Sequence, residues 1–189
     1  MKSRIGLIIL LFAVTLHADD NRITMGLSLK PRIVFHEDCR IYMRHNDVYI
    51  VSDEDQSERV VITDDNELII NGQPYETDSL QSALTEQYYD LTKQCLNGAK
   101  KIGKEGAKMG WEGAKIGIKA VTGVFKLILP NYDSDDLERD MDRESEKIEA
   151  KAEILEEKAD ALDELLDALE NVHYELKDAV KELDDLQWF

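Results

Sequence analysis

The stretch Asn66-Glu-Leu-Ile-Ile-Asn-Gly-Gln-Pro-Tyr-Glu-Thr-Asp-Ser-Leu-Gln81 decides the fold, because the hydrophobic period changes inside it. Its first half alternates apolar and polar residues with period two, as a half-buried strand does, and then reaches Asn71-Gly72. Both central residues of a type I′ turn need positive φ, and Asn-Gly meets that need, so a tight hairpin is expected there. Its second half begins a helix, with Asp78 as N-cap and Gln81 three residues on.

Upstream, the period-two pattern extends back through Arg59–Thr63, Asp47–Ser52 and Cys39–Arg44. His45-Asn46, the acidic Ser52–Glu58 loop and Asp64-Asp65-Asn66 separate these runs as turns. The expectation for residues 19–77 is an antiparallel meander of four or five strands. Residues 19–32 give no clear period, although Ile23–Leu29 could add an edge strand.

Downstream, helix formers run without proline to Pro130, giving one long helix over 78–130. A second is expected over 133–189, with Asp135 and Asp136 favourably placed in its first turn. Each helix is about 75 Å long at 1.5 Å per residue. Two matched helices joined by a short Pro130–Asp133 connection pack most economically as an antiparallel hairpin with its apex near Tyr132. The fold class is therefore α+β, a small meander followed by a long helical hairpin.

The second helix carries a coiled-coil seam that steps alternately by four and three residues, through Ile148, Ala152, Leu155, Ala159, Leu162, Leu166, Leu169, His173, Leu176, Val180 and Leu183. In the first helix the same stepping selects Ala99, Gly103, Gly106, Gly110, Gly113, Gly117 and Ala120. Glycine inside a helix costs about 1 kcal/mol relative to alanine, so the stripe is expected at a close crossing opposite residues 147–161, where leucine would overpack. Charge agrees with the pairing. Residues 91–129 hold eight lysines against Glu105 and Glu112, whereas residues 132–189 hold 22 acids against seven bases.

The N-terminus reads as a secretory leader over residues 1–18. Lys2 and Arg4 precede an apolar run from Ile5 to Leu16, and Ala18 offers a small-residue cleavage point. That run is too short for a bilayer span, which needs about twenty apolar residues. Loss of Lys2 and Arg4 moves the formal charge from −17 to −19. Such a charge argues against nucleic acid as a partner, and against anionic lipid except through a local basic patch. Outside the cytoplasm Cys39 and Cys95 could form a disulfide, which would stabilise by roughly 4 kcal/mol on the chain-entropy model. Two buried thiols that never meet is the other reading, and both stay open.

The stretch from Cys39 to about residue 129 resembles the YggN-like family of periplasmic proteins of Gram-negative bacteria. The resemblance rests on Cys39-Arg-Ile-Tyr-Met, Asn66-Glu-Leu-Ile-Ile-Asn-Gly, Glu86-Gln-Tyr-Tyr-Asp-Leu and Glu112-Gly-Ala-Lys-Ile-Gly-Ile-Lys-Ala-Val. It implies a signal peptide and a periplasmic address, and it brings no catalytic residues.

No nucleophile elbow, phosphate loop or Cys-x-x-Cys pair occurs in the sequence. His36, His45 and His173 have no metal-ligand spacing, and the Ser52–Glu58 loop lacks the glycine and ligand alternation of a calcium loop. His173 takes a seam position, where it either sets register and destabilises on protonation or reaches solvent at the hairpin edge. The expected function is a non-enzymatic periplasmic binding or envelope-associated structural module with no cofactor and no metal. Its partner is an unidentified protein or a second copy. The alternative is a membrane-active protein whose glycine- and lysine-rich helix leaves its acidic partner.

Overall fold

The computed structural model describes the backbone of all but residues 1–6, 20–21, 36–38, 56 and 127–133, and the side chains outside 1–30, 35–38, 56 and 117–133. The chain forms an antiparallel sheet followed by two long helices, an α+β fold. Strands β1 (Leu7–Asp19), β2 (Arg22–Phe35), β3 (Cys39–Arg44), β4 (Asp47–Ser52), β5 (Arg59–Ile62), β6 (Leu68–Ile70) and β7 (Gln73–Tyr75) lie in sequence order. Helices α1 (Ser79–Lys126) and α2 (Ser134–Ala179) follow, and then the short α3 (Lys181–Asp184).

The meander is longer than expected. β7 is the return arm of the Asn71-Gly72 hairpin, and β2 absorbs the Ile23–Leu29 stretch as an internal strand between β1 and β3. In the uncut chain most of the stretch read as a leader pairs with β2 as β1, so loss of residues 1–18 would hand the sheet's outer edge to β2. Both two-residue hairpins have the required backbone: φ is 53° and 74° at His45 and Asn46, and 50° and 83° at Asn71 and Gly72.

Two compact units divide the chain, Met1–Lys100 with Ala161–Phe189, and Lys101–Asp160. In the first, period-two alternation puts one row of partners, Ile33, Ile41, Ile50 and Val60, across four strands, and all four are fully buried. Each contributes about 1.5–3 kcal/mol by leaving water. Leu84, Tyr88, Cys95 and Leu96 of α1 and Leu166, Leu169, Val172 and Leu176 of α2 complete the core. α1 starts at the expected capping box. The Asp78 carboxylate accepts from Gln81 N–H at 2.9 Å, and the Gln81 side-chain carbonyl accepts from Asp78 N–H at 2.9 Å. The helices run antiparallel here, since Gln81 donates to the Ala179 carbonyl at 2.8 Å while Tyr88 meets His173.

One expectation needs correction. The second helix does not run unbroken to residue 189, because Val180 is extended (φ −114°, ψ 104°) and separates α2 from α3. The chain then turns back, and Phe189 returns to the core only 5 % exposed. The expected Pro130–Asp133 break and the apex at Tyr132 lie outside the described residues.

In the second unit α1 and α2 again pair antiparallel. Glu105 accepts from Lys158 at 2.5 Å, and Glu112 accepts from Lys151. The apolar positions Ile102, Met109 and Ile116 on α1, with Ile148 and Leu155 on α2, are only half-buried.

Candidate functional site

The side chains with chemical potential collect in the core of the first unit. Thr85, Tyr88, Thr92, Cys95 and Ala99 follow one another by three and four residues along α1, and each is at most 1 % exposed. This is the helix's seam, continued upstream of Ala99. The two threonines hide it from a hydrophobicity reading.

The Tyr88 hydroxyl lies 3.1 Å from His173 Nδ1. His173 is 3 % exposed, so the solvated-edge reading is excluded. Its ring stacks on Phe189 at 4.3 Å and 18°, and Tyr174 meets it edge-on at 5.9 Å. Phe189 was missed as a partner because a helix continued through Val180 would have carried it away.

Cys39 and Cys95 are both buried and are not joined in a disulfide here. Both lie within electrostatic reach of Tyr88. Burial, and then the two cysteines, raise the tyrosine's pKa well above its ordinary value. Burial likewise pushes the Cys95 thiol up to about 11. A thiol in that state is a weak nucleophile at neutral pH, so this chemistry favours packing over reaction. Thr92 Oγ1 has no hydrogen-bond partner among the described residues.

The glycine stripe divides. Gly103 is buried, and a Cβ on Gly106 would touch Leu155 Cδ2 at 3.7 Å, an ordinary contact. A Cβ on Gly98, outside the predicted stripe, would press on Leu162 Cδ1 at 3.2 Å. Gly110 and Gly113 are exposed, and a Cβ on either meets nothing within 4 Å among the described residues. The expected close crossing therefore fails at those two positions. Half-buried Ile102, Met109 and Ile116 take the seam there and turn Gly110 aside. The surroundings of Gly117 lie outside the described residues, as does His36.

The Ser52–Glu58 loop is closed by its own hydrogen bonds. The Ser52 hydroxyl accepts from the N–H groups of Glu54 and Asp55, and the Asp55 carboxylate accepts from the Ser57 hydroxyl and from Ser57 N–H at 2.9 Å, which together lower the Asp55 pKa. With Asp185 and Trp188 the loop borders a cleft of about 520 Å³. Among the described residues no group of three or more His, Cys, Asp or Glu side chains is placed to hold a metal ion. His45 sits in the β3–β4 turn.

No family model, no curated protein and no solved structure matches this chain.

Proposed function

We propose that this protein is an exported, periplasmic binding or envelope-associated structural module and not an enzyme. The observation that carries the reading is the ordered leader, with Lys2 and Arg4 before the apolar run Ile5–Leu16 and Ala18 before two acids. The resemblance to the YggN-like family points the same way. The state of the reactive side chains supports a non-enzymatic role, since Tyr88, Cys95 and His173 are engaged in the core of the first unit. General acid or base work needs such groups at a substrate-accessible surface with a pKa near the working pH.

Export also bears on the cysteines. In an oxidising compartment Cys39 and Cys95 would be joined, pinning β3 to α1. N-terminal sequencing of the protein recovered from soluble periplasm tests the address: the chain should begin at Asp19. Retention of Met1 in a membrane pellet would overturn it. Crosslinking in intact cells should then capture a partner by a surface of the helical hairpin. On non-reducing mass analysis, the exported chain should be lighter by two hydrogens than the reduced one.

A further inference from the structure

The cross-helix ion pairs of residues 101–160 show how each helix is turned. Glu105 with Lys158, and Glu112 with Lys151, border the seam on one side. Residues three and four apart share a helical face, which places their neighbours. Lys108 and Lys115 follow Glu105 and Glu112 by three, and Lys104 precedes Lys108 by four, so all three lie on that side and farther from the seam. Lys147, four before Lys151, joins it on α2. All six lysines are exposed. The acids on this side are Glu105, Glu112 and Glu144, each held in an ion pair by Lys158, Lys151 or Lys147, together with Asp136, paired with Arg139, and Asp140 in the first turns of α2.

Among the described residues, the large exposed apolar side chains of this unit border the same face. Trp111, 58 % exposed, stands between Lys108 and Lys115, and Lys115 Nζ lies 5.5 Å from the centre of its ring. Ile154, 52 % exposed, stands between Lys151 and Lys158. The other side of the seam is opposite in character. Glu149 and Glu156, one residue beyond the seam positions Ile148 and Leu155, turn to it, and on α1 it presents Gly106 and Gly113. Among the described residues the lysines of the unit thus gather on one face of the hairpin, while Glu149 and Glu156 turn to the other and Glu146, Glu153 and Glu157 to the outer side of α2.

We infer that the lysine face, edged by Trp111 and Ile154, docks on the surface of a bilayer that carries anionic phospholipid headgroups. This rests on the binding-module reading above and names its partner. Lysines on a helical face are drawn to phosphate headgroups, and tryptophan settles at the boundary between headgroup and acyl chain. No helix among the described residues is long and apolar enough to cross a membrane, so contact is with the surface. Glu149 and Glu156 lie across the hairpin, about one helix diameter or 10 Å away, which is comparable to the Debye length at physiological salt, and the glutamates beside the lysines are neutralised by their ion pairs. A second copy could offer its acidic face, but that face has glycines where an apolar complement to Trp111 and Ile154 is needed.

The test uses the protein purified with the N-terminus it carries in the cell. Its partition onto vesicles of mixed phosphatidylglycerol and phosphatidylcholine is compared with that onto pure phosphatidylcholine. The ratio reads the lysine face, whereas any leader retained at the N-terminus raises both partitions. The ratio should exceed ten at low salt and collapse toward one in the triple variant Lys104→Glu, Lys108→Glu, Lys115→Glu. It should persist in Glu149→Gln with Glu156→Gln, with helix content checked by circular dichroism in every case. A ratio near one for the unaltered protein overturns the inference. So does an unchanged ratio in the lysine variant, or salt-sensitive self-association in its place. A retained Met1 would sink the export reading and leave this ratio interpretable.

Discussion

Cys95 shows how a single buried thiol ties stability to pH. Its pKa is pushed up to about 11 from an ordinary value near 9, because the core disfavours the thiolate. Below the ordinary value both folded and unfolded chains hold the proton, and burial costs nothing extra. Between there and the raised value the unfolded chain releases it while the folded one retains it, so stability falls as pH rises. That displacement corresponds to about 2–3 kcal/mol, and Tyr88 should extend the fall beyond that range. Urea midpoints at pH 8 and pH 10.5, with reductant present, should show a smaller drop for Cys95→Ala than for the unaltered chain, although the variant starts less stable. Equal drops would mean that Cys95 does not titrate as argued. Tyr88→Phe removes the hydrogen bond at His173 Nδ1 and should cost about 1–2 kcal/mol at neutral pH. A midpoint unchanged within error would show that the contact is idle.

At the scale of elements, three glycines separate conformation from space. Among the described residues Gly72 has open space around it but a φ of +83°, whereas Gly110 and Gly113 have open space and helical backbone. The same substitution should therefore act with opposite sign. Gly72→Ala forces a side chain into a left-handed turn and should destabilise by about 1 kcal/mol. Gly110→Ala should stabilise by up to about 1 kcal/mol, and Gly113→Leu should not destabilise, because helix propensity improves with nothing to displace. Denaturant midpoints of the three variants give the comparison, and destabilisation by Gly113→Leu would restore the close crossing. The elements themselves were legible in the sequence wherever local chemistry dictates them. Asn71-Gly72, the Asp78–Gln81 box and the strands from Cys39 to Ile70 follow from turn geometry and period two. The helix break at Val180 was not, because the stepping of apolar residues continues straight through it to Leu183 and no glycine or proline marks it. The turning of Gly110 and Gly113 out of the seam escaped for a related reason: glycine has no side chain to weigh, so stepping alone assigned it a face.

For the whole molecule, burial is unevenly distributed along the same two helices. Residues 88–99 and 162–176 supply fully buried side chains to the core of their unit, whereas in residues 101–160 the seam is half-buried and supported by exposed ion pairs. Exposed pairs contribute well under 1 kcal/mol each, so the second unit has little to oppose local opening. Hydrogen exchange followed by mass spectrometry should find the amides of residues 104–116 and 141–158 exchanging well before those of 88–99 and 166–176. Uniform protection along α1 would contradict this. The site was less legible than the fold. Tyr88, His173 and Phe189 meet only through the pairing of α1 with α2 and the return of the chain after Val180, and no local pattern announces a contact across that distance.

The turn at Asn71-Gly72 also sets how the protein ages chemically. An asparagine followed by glycine is prone to deamidation, in which the next backbone nitrogen attacks the side-chain carbonyl carbon, expels ammonia and closes a succinimide ring that water then opens to aspartate or isoaspartate. Here both ends of Asn71 are tied to Arg59. Its side-chain oxygen accepts from Arg59 N–H at 2.9 Å, and its own N–H donates to the Arg59 carbonyl at 2.8 Å. Ring closure would have to break the first of these bonds and distort the turn. Isoaspartate at position 71 should therefore accumulate slowly in folded protein and quickly in urea, as peptide mapping after incubation would show. Its abundance in a stored sample would record how long the β6–β7 hairpin had stood open.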